Sequence, residues 1–185
     1  ITYMVGTAYV TSAITVNPQP AAFAVTGTGS YCSGGTGVHL GLSGSALGIS
    51  YNLYFGSSSS AYISGTGSAI DFGAMTVAGT YTATGTNIVT GCAAAMTGSA
   101  TVTIAARDTP FVNIIASAGD SLCSGHGDTF SAAPIHGGTT PSYLWRVNGI
   151  SVSTGNSYIF LPTSGDIVTV HMISSASCLV YDSAD

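Results

Sequence analysis

The sequence contains no lysine and no glutamate. Its basic side chains are Arg107 and Arg146 alone and its acids are seven aspartates, so charged residues fill only 5% of the 185 positions, against about 25% in an ordinary soluble chain. With a formal net charge of -5 there is no basic stripe to neutralise phosphates, which argues against nucleic acid and anionic lipid surfaces as partners. No apolar run approaches the roughly 18 residues that a membrane-spanning helix needs. The first residues lack a basic stretch followed by an apolar run, so no signal peptide is read there. The four cysteines form no CxxC pair, which removes a structural zinc site, and no Asn-x-Ser/Thr sequon occurs.

The absences extend to chemistry. His39, His126, His136 and His171 show no metal-ligand spacing, and the aspartates form no calcium loop. No serine sits in a Gly-x-Ser-x-Gly elbow. The glycine-rich turns Gly27–Ser30 and Ser64–Ser68 are followed by no helical pattern that could cradle a phosphate. The expectation is a protein without catalysis, metal or cofactor.

What is present is alanine, valine and isoleucine interleaved with threonine, serine and glycine. Val38, Leu40 and Leu42 alternate with polar or small neighbours, as do Ile49, Tyr51, Leu53 and Phe55. This period of two predicts strands with one buried face. Strands are expected at 22–26, 38–43, 49–55, 61–64, 69–72, 81–86 and 99–104, and again at 111–117, 129–133, 143–148, 151–153, 157–161 and 167–174. Short strands between turn signals, with no 3.6-residue period, predict an all-β chain of two tandem immunoglobulin-like β-sandwiches. Gly79-Thr80-Tyr81 resembles the tyrosine corner of that fold, and Trp145 falls where it carries a core tryptophan. Tyr81 and Trp145 are therefore expected in the core.

An internal repeat sets the boundaries. Ser12-Ala13-Ile14-Thr15-Val16 before Asn17-Pro18-Gln19-Pro20 parallels Ser99–Ile104 before Arg107-Asp108-Thr109-Pro110. The expected division is a donor-type strand and proline hinge over 1–20, a first sandwich over 21–107 and a second over 108–185. A lone strand is expected over Ala8–Val16, and the second sandwich is expected to lack its final strand. Residues 10–16, with Ile14 and Val16 inward beside Val10 and Ser12, would complete the second sandwich of a neighbouring copy by strand addition. Such head-to-tail contacts propagate. The partner implied is the chain itself, and the function implied is a structural subunit of an extracellular bacterial filament or stalk.

Cys32 and Cys123 precede the second strand of each sandwich, and Cys92 and Cys178 follow the sixth. The separations are similar, 60 and 55 residues, which favours Cys32–Cys92 and Cys123–Cys178. The opposite ends at which those turns lie in the fold leave open Cys32–Cys178, with Cys92 meeting Cys123 of a neighbouring copy. Cysteines in a Gly/Ser/Thr-rich β-protein point to an oxidising compartment outside the cell or at its surface.

Tyr31-Cys32-Ser33-Gly34, Leu122-Cys123-Ser124-Gly125 and the run Gly137-Gly138-Thr139-Thr140-Pro141-Ser142-Tyr143 resemble tandem Ig-like and PKD-like repeats of large Bacteroidota surface proteins, including gliding-type adhesins. The resemblance implies an alternative function, a segment of an adhesin whose repeats space or present a carbohydrate- or surface-binding site. It also implies O-linked glycans at Ser121 and Ser183, which stand in Asp-Ser-apolar triplets.

Overall fold

A computed structural model describes residues 1–6, 8–119 and 121–185, and for residues 3–5 and 8–10 the backbone alone. Its described elements are all β-strands, and they fall into two units, Ile1–Ile104 and Ala105–Asp185.

The first unit opens on a hairpin in which β1 (Thr2–Val5) pairs antiparallel with β2 (Ala8–Thr11). Gly6 enters the turn at φ +67°, which glycine adopts without steric cost. This corrects the lone strand expected over Ala8–Val16. Thr11 faces Thr2 at the end of the ladder, so residues 12–20 have no strand to pair with and carry no strand of their own.

The remaining strands of this unit are β3 (Val25–Thr26), β4 (Gly29–Cys32), β5 (Val38–Leu42), β6 (Ile49–Phe55), β7 (Ser58–Ser64), β8 (Ile70–Met75), β9 (Gly79–Asn87), β10 (Ala93–Ala95) and β11 (Ala100–Ala105). One sheet runs β3-β5-β8 and the other β4-β11-β9-β6-β7, with β10 also on β9. This is the two-sheet order of an immunoglobulin-like sandwich. The core draws on both sheets: Leu40, Leu42 and Ile70 from one, Tyr51, Leu53, Tyr81, Ala100 and Val102 from the other. The Tyr81 hydroxyl donates to the Val77 carbonyl at 2.9 Å, the tyrosine-corner bond that fixes the approach to β9.

The second unit contains β12 (Phe111–Ala116), β13 (Asp128–Ile135), β14 (Ser142–Val147), β15 (Ile150–Ser153), β16 (Ser157–Phe160), β17 (Val168–Ile173) and β18 (Ser183–Ala184). Its sheets are β12-β13-β16 and β15-β14-β17-β18. Val112, Tyr143, Trp145, Val170 and Met172 form its core. Trp145 is fully buried, and its indole N–H donates to the Gly155 carbonyl at 2.8 Å, which satisfies the one polar atom the ring brings inside.

Candidate functional site

The two units can be aligned strand by strand. The register slips at Leu53/Tyr54 where β6 meets β7 and at Trp145/Arg146 where β14 meets β15, so Leu53 and Trp145 are equivalent. Leu53 faces Ala83, and Trp145 faces Val170. Val168 then corresponds to Tyr81, and Met172 to Gly85. In the first unit Ala94 lies beside Gly85, and in the second Ala184 lies beside Met172. The short strand β18 is thus the counterpart of β10.

The counterpart of β11 is what the described residues of the second unit lack. In the first unit Ala100 faces Tyr81 and Val102 faces Gly79, and both side chains are fully buried. No described residue pairs with β17 at the equivalent positions beside Val168 and Asp166. Beside β17 the described residues of the second unit supply the two-residue β18.

A second vacancy accompanies the first. In the first unit β4 joins its sheet through β11 alone. The matching stretch of the second unit, Ser121-Leu122-Cys123, forms no strand. A groove of about 1040 Å³ opens at this place, between Ile114 and Ala116 of β12, Phe130 of β13 and Val168 of β17, with Leu122 and Cys123 at its rim. Its lining is mixed, with Ser121, Ser124, Thr163, Ser164 and Asp166 beside the apolar side chains.

Asp166 lines the groove, and Asp128 stands at the start of β13. Asp166 accepts from the Thr163 N–H at 2.8 Å, the Thr163 hydroxyl at 2.9 Å and the Asn148 amide at 2.8 Å. The Thr163 N–H, then Asn148, then the Thr163 hydroxyl hold its carboxyl below the usual range against a smaller opposing effect of burial. Asp128 is buried, and its Oδ1 accepts from the Ser117 hydroxyl, from the Ala118 N–H at 3.0 Å and from the Thr129 N–H at 2.7 Å. The Ser117 bond is foremost in lowering its pKa, burial opposes it, and the backbone donors add to it. Oδ2 is buried without a partner. Asp128 thereby ties the end of β12 to the start of β13.

The residues expected to act at the joint lie as follows. Ser12 is exposed, as are Ile14 and Val16, at 66% and 87%. Val10 pairs through its backbone with Tyr3, and its side chain lies outside the described residues. The cysteine expectation requires correction. Cys32 and Cys178 are disulfide-bonded, while Cys92 and Cys123 hold free thiols, so the pairings Cys32–Cys92 and Cys123–Cys178 within each sandwich are overturned. Matched spacing could not decide this, because equal separations in sequence do not bring opposite turns of a sandwich together. Ser121 is exposed at the groove, and Asp120 of its triplet lies outside the described residues. Ser183 is half-buried in β18.

Three pairs went unread in the sequence: His39 with Asp71 at 2.7 Å, His136 with Asp108 at 3.2 Å and His171 with Asp185 at 2.5 Å. His39 and Asp71 lie on the paired strands β5 and β8, and that pairing was the signal available. Among the described residues no three His, Cys or Asp converge to hold a metal, and no helix is long and apolar enough to cross a membrane.

No family model and no curated protein matches the sequence. Among solved structures, the human OSCAR ligand-binding domain is similar at 8% identity and TM-score 0.39, over 91% of this chain and 98% of that one. The fibronectin(III)-like modules of Clostridium thermocellum CbhA are similar at 13% identity and TM-score 0.35, over 86% and 91%. The sandwich assignment rests on the strand orders given above.

Proposed function

We propose that the protein is a structural subunit of an extracellular filament or stalk, in which residues 10–16 of one copy fill the groove in the second unit of the next. The observations that support this reading are the groove beside β17 and the exposed residues 12–16, which belong to no strand. A groove lined by Ile114, Phe130 and Val168 beside an unpaired stretch of β17 leaves apolar surface and backbone hydrogen-bonding groups in water, and both are costly.

The occupant is argued from continuity. A strand entering beyond β18 and running in its direction passes His171 and then Val168. Residues 12–16 are exposed and without a ladder partner in their own chain, and they resemble Ser99–Ile104, which includes most of the first unit's plug. Ile14 and Val16 then enter the groove while main-chain bonds extend the sheet, the division of labour in strand addition. The scarcity of charge suits faces covered between subunits, and the disulfide suits an oxidising compartment. The likeness of the Cys-Ser-Gly lead-ins to Bacteroidota surface repeats agrees with a place outside the cell.

The test is truncation. Removing residues 1–16 should leave a monomer by light scattering, under conditions where the full chain forms filaments visible by electron microscopy. Ile14→Asp, which leaves the chain length unchanged, should weaken association roughly 100-fold or more by carrying a charge into an apolar site. Filaments formed by the truncated chain, or by Ile14→Asp at unchanged affinity, would refute the proposal.

A further inference from the structure

We infer that the outer face of the first unit's larger sheet binds a neutral polysaccharide, with Tyr62 as the stacking ring and Asn52, Tyr54 and Ser59 as a hydrogen-bonding cluster beside it. The site lies within one unit and does not depend on how copies assemble.

Alternation along the strands builds the face. Tyr51 and Leu53 of β6 are buried in the core, so Asn52 and Tyr54 stand on the opposite side of the sheet. The register carries that side across the neighbouring strands. Asn52 faces Tyr62 of β7 and Thr84 of β9, and Tyr54 faces Ser59 and Thr82. The slip between Leu53 and Tyr54 sets Ser59, rather than Ser60, opposite Tyr54, as bulges re-aim side chains elsewhere. The Asn52 amide donates to the Tyr54 hydroxyl at 3.2 Å and accepts from the Ser59 hydroxyl at 3.3 Å. Three polar side chains are thus tied together beside Tyr62, which is 78% exposed.

The fold does not require this cluster. With Leu53 equivalent to Trp145, Asn52 corresponds to Leu144, Tyr54 to Arg146 and Thr84 to His171. The second unit forms the same pair of strands without the amide, the phenol or the threonine hydroxyl. These side chains are therefore a property of the first unit's surface and not of its framework.

Charge decides the class of ligand. No strand of this sheet carries Asp, Glu, Lys or Arg, and Asp71, the only such residue among residues 1–104, lies on β8 of the other sheet. An acidic or basic polymer finds no opposite charge to steer it here. An apolar protein face laid over Asn52, Ser59 and the threonines would bury their polar atoms without partners. A neutral polysaccharide suits both chemistries on the face. Its hydroxyls donate and accept, as those of serine, threonine and tyrosine do. The C–H side of a sugar ring packs on the electron-rich face of an exposed tyrosine.

The test is frontal chromatography of the full chain, at concentrations where light scattering shows a monomer, over beads carrying hydroxyethyl cellulose, galactomannan or dextran, with polygalacturonate beads as the acidic comparison. At least one neutral polymer should retain the chain, equally at low and high salt because no ion pair contributes, and polygalacturonate should not. Tyr62→Ala should weaken retention roughly tenfold or more, as loss of an aromatic anchor does. Asn52→Leu, which places at this position the residue type of Leu144, should weaken it roughly threefold or more. Both variants should keep the parent's melting profile by circular dichroism. Retention by none of the neutral polymers, retention that survives both substitutions, or retention that fades with salt would overturn the inference. So would self-association of the concentrated parent that Tyr62→Ala abolishes, because the face would then be an interface between copies.

Discussion

Asp128 is the residue on which the second unit's acid stability turns. Its carboxylate takes three donors at one oxygen and leaves the other buried and unpaired, an arrangement that favours the charged form at Oδ1 while burial works against it. The balance lowers its pKa in the folded unit, so the unfolded chain holds its proton more tightly. The resulting stability is fully present above the ordinary aspartate value, near pH 4, and is lost as pH falls through the lower folded value. Asp166 is lowered in the same direction by the Thr163 N–H above all. Asp128→Asn should therefore flatten part of the acid limb of the second unit and leave the rest to Asp166. Urea midpoints followed by Trp145 fluorescence between pH 5 and 2 (a window of about that width) would measure it, and an acid limb as steep as in the parent would contradict the assignment. The His39–Asp71 and His136–Asp108 pairs are exposed, where such pairs contribute little.

At the scale of elements, the clearest constraint is the entry to β9. Gly79 stands at φ +144°, and a Cβ built there would meet the Phe55 ring at 2.3 Å, while that ring packs on Tyr81 with centroids 5.2 Å apart. Gly79→Ala combines an unfavourable backbone conformation with overpacking and should cost roughly 2–4 kcal/mol. Circular dichroism should show the first unit melting earlier, with the Trp145-reported transition of the second unit unmoved. A change below about 1 kcal/mol would mean that Phe55 steps aside at little cost. Strands like β6 were legible to the residue, because Ile49, Tyr51, Leu53 and Phe55 alternate without interruption. β4 was not, since Gly29-Ser30-Tyr31-Cys32 is composed of turn residues and becomes a strand through its partner β11. β10 was missed for a related reason: Ala93–Ala95 has no alternation and is held to β9 by backbone bonds alone. The pairing of the cysteines could not be read, since it depends on which turns meet in space.

The two units of the molecule differ in how many apolar side chains they bury. Among the described residues, eleven buried apolar side chains form the first core and five the second. Ala100 and Val102 close the former, while the latter opens into a groove of about 1040 Å³. Fewer apolar side chains leave water in the second unit, and each Å² of apolar burial stabilises by roughly 25 cal/mol. The second unit should therefore unfold first. The molecule supplies its own reporter: Trp145 is the single tryptophan and sits fully buried in the second core. In a heating experiment on dilute, reduced protein, tryptophan fluorescence should complete its transition at a lower temperature than far-ultraviolet circular dichroism, which sees both units. A peptide spanning residues 8–17, added in excess, should raise the fluorescence transition and leave the later phase of the dichroism where it was, because a ligand stabilises only the unit that binds it. Coincident transitions in the two signals would mean that the second unit is no weaker than the first, and the groove would lose its standing as an unfilled part of the fold.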